Sequence, residues 1–166
     1  MSIIDSVVDL TGNSQPLNGC LGCEIISGNI KPFGGILYKS KNFCVTQDLE
    51  LPIEGFIIIS SIRHVEKLNQ LNDEERIELI SLANKITDIL TDNDICNDFN
   101  LILEEKPNVH FHMWVMPRHQ WMQEQFGKVL KNIKPIQDYA INNMRTPENL
   151  AKIQSTCNLL KTELNK

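Results

Sequence analysis

The chain has 166 residues, 42% of them apolar and 22% charged, with a net charge of −5. That is one domain's length with enough apolar side chain for a core. The acid excess argues against a broad nucleic-acid-binding face, and no apolar run approaches the ~20 residues that span a bilayer. Residues 1–18 carry no basic segment ahead of an apolar one, so no signal peptide is expected and the cytoplasm is the default. Cys20, Cys23, Cys44, Cys96 and Cys157 make an odd set without framework spacing, and the last three read as small buried residues.

Residues 1–19 read as an N-terminal arm, with a short helix over residues 3–10 and a turn at Gly12-Asn13-Ser14. Cys20-Leu21-Gly22-Cys23 leads into a turn of helix that Gly28 stops. Gly34-Gly35 turns into a strand over residues 36–39, a second strand covers 42–48, and the β-branched run 56–60 suits a buried central strand. Asn72-Asp73-Glu74-Glu75 has the pattern of a capping box. The helix it opens runs to about residue 90, with Leu79, Leu82, Ala83, Ile86 and Leu90 on one face. Strands over 99–104 and 109–116, joined at Pro107-Asn108, are expected as antiparallel neighbours. Beyond Arg118 the texture is helical, over residues 121–130 and 135–144. A last helix is capped by Thr146 with Pro147 at its first position. The expected architecture is α+β: an antiparallel sheet, a long helix packed with others to one side, and a helical C-terminal extension over 119–166.

The stretch 109–118 carries the chemistry. Period-two alternation puts His110, His112, Trp114 and Met116 on one face, and Val109, Phe111, Met113 and Val115 on a uniformly apolar one. The two imidazoles then stand roughly 6–7 Å apart at Cα, close enough to serve one site. Pro117, which has no N–H to give, is expected to end the strand. A metal-oxygenase site of cupin type, with Glu124 as carboxylate, needs many more strands than this helix-rich chain offers. Cys20-x-x-Cys23 reads as a redox pair, half a zinc site, or chance, and the βαβ context of a redox pair is missing.

Three segments, in order, resemble the histidine triad (HIT) family over residues 20–118. They are Cys20-Leu21-Gly22-Cys23-Glu24-Ile25-Ile26-Ser27-Gly28, the strand at Gly55-Phe56-Ile57-Ile58-Ile59-Ser60 running on to Arg63-His64-Val65, and His110-Phe111-His112-Met113-Trp114-Val115-Met116-Pro117-Arg118. The resemblance implies a nucleotide hydrolase or nucleotidyltransferase acting on a purine nucleotide or its derivative. His112 would attack the α-phosphate and form a covalent nucleotidyl-imidazole. It also implies Asp48 on the ribose hydroxyls, a homodimer, and a structural zinc held by Cys20, Cys23, His64 and His110.

Two departures stand out. Trp114 replaces the third histidine; its indole N–H can donate to a phosphate but cannot relay a proton. The segment 104–108 is shorter than the family's phosphate loop and brings Glu104 and Glu105, leaving Lys106 or Asn108, with Arg118, as phosphate contacts. A zinc-stabilised nucleotide-binding protein without turnover is therefore the alternative.

Overall fold

The computed structural model describes residues 6–166. Strands β1 (Ser6–Val8) and β2 (Ser14–Pro16) pair as a small antiparallel ribbon. The helix expected over residues 3–10 therefore does not form from Ser6 onward, and its residues 3–5 lie outside the described residues. Asp9 explains the ribbon: its carboxylate accepts hydrogen bonds from Thr11 N, Asn13 N and the Gln15 amide, fixing a turn that a helix would have to break. Helix α1 (Leu21–Ser27) ends at Gly28, whose φ of 84° is the left-handed stop that glycine tolerates.

Strands β3 (Ile36–Lys39), β4 (Phe43–Gln47) and β5 (Ile57–Ser61) form a meander. Beyond β5 come β7 (His112–Pro117) and then β6 (Phe99–Leu103) at the edge, so the sheet order is β3-β4-β5-β7-β6, antiparallel throughout. β7 starts three residues later than expected. Phe111 N–H is drawn to the carbonyl of Val65 at 2.7 Å, and Pro117 still belongs to the strand, opposite Phe99.

Helix α2 (Asp73–Asp92) begins at the expected capping box: Asn72 accepts from Glu75 N at 2.9 Å and Glu75 accepts from Asn72 N at 2.8 Å. The expected helices beyond Arg118 appear as α3 (Gln120–Phe126), a single 3-10 turn at Val129–Lys131, and α4 (Ile133–Asn143). Helix α5 (Pro147–Leu164) has Thr146 accepting from Asn149 N.

The helices occupy both faces of the sheet, where one side was expected. On one face Phe43, Val45, Ile57, Ile59, Met113 and Val115 pack against α2 and α5. On the other, Phe56 and Met116 pack against Met122 of α3 and Ile136 and Ala140 of α4. Met116 has the His112 side of β7, yet it is fully covered. His119, at the N-cap of α3, donates from Nε2 to the carbonyl of Glu54 at 2.8 Å. No helix among the described residues is long and apolar enough to cross a membrane.

Candidate active site and metal centre

Cys20, at the N-cap of α1, and Cys23, in its first turn, face His64 from the loop after β5 and His110 from the approach to β7. The four ligand atoms lie within 4.8 Å of one another. Cys20 Sγ is 3.4 Å from His64 Nδ1 and 3.5 Å from His110 Nδ1; Cys23 Sγ is 3.3 and 3.6 Å from the same atoms. A tetrahedral zinc with ordinary Zn–S and Zn–N lengths sets sulfur and nitrogen about 3.5 Å apart. Two thiol protons and at most one on His64 Nδ1 serve these four close approaches, so hydrogen bonding alone does not account for the cluster, and the donor set fits zinc.

The surroundings prepare both imidazoles. His110 is buried, and its Nε2 lies 2.6 Å from the carbonyl of Ser61. A carbonyl only accepts, so Nε2 carries the proton and Nδ1 is left with its lone pair toward the sulfurs, as a metal ligand needs. Burial holds the His110 pKa below its usual value, which favours the neutral ring. The loop carrying His64 is held by its neighbour Arg63, which donates to both carboxylate oxygens of the buried Glu75 at 3.1 and 2.8 Å. Gly22 leaves room for the His110 ring: a Cβ there would stand 2.5 Å from His110 Cγ.

The same residue that faces the sulfurs orients His112. The His112 Nδ1 lies 2.8 Å from the backbone carbonyl of His110, so Nδ1–H donates and Nε2 bears the lone pair. His112 is half-buried, and its ring centroid is 6.5 Å from that of Trp114, tilted by 32°. Trp114 in turn meets Phe56 edge-on at 5.4 Å. The arrangement presents the Nε2 edge of His112 beside an aromatic ring on a half-covered sheet face.

The other candidates are more dispersed. Asp48 follows β4 and continues the Cys44, Thr46 alternation on the His112 side of the sheet. Strand spacing puts it roughly 16 Å from His112 at Cα. Asn108, at a φ of 61°, shapes the turn before β7 and is exposed. Arg118 lies six positions past His112, roughly 20 Å along the strand. It lines a different groove of about 700 Å³ with Asp98 and Gln120. It is not brought to His112, because a strand holds its length. Of the two loop carboxylates, Glu105 turns away to accept from Leu68 N at 2.9 Å, and Glu104 pairs with Lys106 at 2.9 Å.

Sequence reasoning missed Ser61 and Gly22. The Ser61 carbonyl has no signature, since any residue supplies one and the contact spans 49 positions. Gly22 had one: a glycine inside a helical turn is unfavourable unless something must approach closely.

No family model matches the chain. An uncharacterized HIT-like protein of Methanocaldococcus jannaschii is 25% identical over 122 residues, covering 69% of this chain and 91% of that protein. Among solved structures, a Zn-bound histidine triad family protein from Mycobacterium smegmatis superposes with a TM-score of 0.62 at 17% identity, over 88% of this chain and 93% of that one. A Hit-like protein involved in cell-cycle regulation from Bartonella henselae gives 0.62 at 12% identity, over 90% and 98%. Plasmodium falciparum diadenosine triphosphate hydrolase gives 0.53 at 17% identity, over 78% and 76%. At these identities the structures establish the fold.

Proposed function

We propose that this chain, a histidine triad-like protein with a zinc-knuckle pattern, is a nucleotide hydrolase or nucleotidyltransferase that works through His112. The observation that carries the reading is the 2.8 Å contact from His112 Nδ1 to the His110 carbonyl, which leaves Nε2 free as a nucleophile. In the step we envisage, the Nε2 lone pair forms a bond to the α-phosphorus. The bond to the leaving group breaks, and the leaving group takes its electron pair and a proton from solvent. Water then replaces Nε2 on phosphorus and gives up a proton, and the imidazole regains its pair. The Trp114 indole N–H donates to a phosphate oxygen, with Asn108 as a second donor, while Asp48 takes the ribose hydroxyls. The hydrolase activity of the Plasmodium protein of this fold supports the substrate class, a purine nucleotide derivative.

Cys20, Cys23, His64 and His110 would hold the zinc, four ligands with no open position. Zinc bound there supplies folding energy and a fixed His110, not a bound water. The five free thiols fit a reducing cytoplasm.

A homodimer is the assembly we propose. Glu78 of α2 bonds Ser40 and Asn42, and Lys85 bonds the Leu164 carbonyl, so that flank of the helix is occupied within the chain. Ile77 and Ile80 of α2 and Leu101 of the sheet-edge strand β6 are 68%, 59% and 51% exposed. A second copy would cover that apolar patch and continue the sheet.

Incubation with an adenosine phosphoramidate or a dinucleoside polyphosphate tests the activity. We expect His112→Ala to lose about a hundredfold or more of the rate. Because Trp114 cannot relay a proton, a nucleotide-binding protein without turnover is the second reading. A wild-type rate equal to that of His112→Ala would leave only that one.

A further inference from the structure

A pocket of about 340 Å³ opens at the β6 edge beside Trp114, walled by Ile102 and Leu103 of β6, Ile133 of α4, and Glu104 at its rim. Its size is that of a small-molecule site. Four of its five lining residues are apolar, and one of them, Trp114, has its ring centroid 6.5 Å from that of His112. Residue register adds a constraint. Leu103 pairs with Met113, so Glu104 comes one step further along, level with His112. The Glu104 side chain is half exposed and paired with Lys106, so the rim is acidic but nearly neutralised.

We infer that this pocket is a leaving-group subsite for an apolar, aromatic group carried on the reacting phosphate. The inference rests on the nucleotidyl-transfer reading above and goes beyond it by assigning the non-nucleoside half of the substrate. Asp48 lies on the β4 side of His112, so a nucleoside anchored there runs toward β4. The leaving group departs opposite the attacking Nε2, and on the side of the phosphorus away from that nucleoside the neighbouring strand is β6, where the pocket lies. Ile102, Ile133 and the Trp114 face offer a ring dispersion contact and release of water. Trp114 in place of a third histidine acquires a purpose here: it forms the inner wall of the subsite. Ile133 comes from the C-terminal helices, which thereby enter substrate selection.

The test is binding, measured by calorimetry on the intact His112→Ala protein so that no turnover intervenes. The probes are AMP, its methyl ester and its 2-naphthyl ester. We expect the naphthyl ester to bind at least tenfold tighter than the methyl ester. Adding Ile133→Glu should bring the two within twofold and leave AMP unchanged, with Ile133→Ala falling between as a variant that introduces no buried charge. Equal affinity for the two esters overturns the subsite while AMP binding keeps the nucleotide reading. A protein that binds none of the three overturns both.

Discussion

Asp48 follows β4, with its Oδ1 accepting from Glu50 N at 3.0 Å and Leu51 N at 2.8 Å, and burial pushes its carboxyl up to about 6. In the folded chain it therefore holds a proton at pH values where the unfolded chain has lost it. Its contribution to stability is present below pH 4 and is lost as pH rises through about 6. Asn keeps both accepted bonds and carries no charge. We expect Asp48→Asn to raise stability at pH 7 by about 1–3 kcal/mol and to flatten the pH 4–6 slope in thermal melts. The same change should weaken nucleotide binding if the carboxylate takes the ribose. Gly22 gives a prediction of opposite sign. The methyl of Gly22→Ala would meet the His110 ring at 2.5 Å, so the buried imidazole must move. We expect a loss of about 1–3 kcal/mol, read by denaturant titration, together with a lower zinc content by metal analysis.

The turn from β5 into α2 is held at one carboxylate. Glu75 caps Asn72 and receives Arg63, and the Arg63 hydrogen bonds hold its pKa below the usual carboxylate range despite burial. Its stabilisation is present at neutral pH and is lost as the pH falls below the ordinary glutamate range, the reverse of Asp48. We expect Glu75→Gln to cost about 1.5–3 kcal/mol at pH 7 and to remove that part of the acid sensitivity in melts from pH 7 to 3. Much of this was legible in the chain itself. The capping box of α2 and the Thr146-Pro147 start of α5 are local patterns that local hydrogen bonds realise, and the His112, Trp114, Met116 alternation is realised in the pairing of β7 with β5 and β6. The helix expected over residues 3–10 was misread because the apolar spacing there gave no hint that Asp9 would gather three donors into a turn. Which sheet face α3 and α4 would cover was not legible, since both β7 faces are apolar at Val115 and Met116 and either can take a helix.

Taken together, the contacts couple the proposed metal site to the proposed nucleophile through one residue, because His110 faces the thiols with its side chain and holds His112 with its carbonyl. Removing zinc with a chelator should therefore lower the melting temperature and the turnover rate together, and readdition should restore both. The proposed dimer makes a separate claim. Ile80→Glu with Leu101→Glu should halve the particle mass seen by light scattering while the fold, read by circular dichroism, is kept. The proposed chemistry requires that the His112 nitrogen take a nucleotide onto itself. Acid-free quenching of protein during turnover of a dinucleoside polyphosphate, followed by intact-mass measurement, observes this directly. We expect one nucleoside monophosphate added to the wild-type chain and none to His112→Ala. Turnover with no such mass on the chain, or the same mass on His112→Ala, would contradict it.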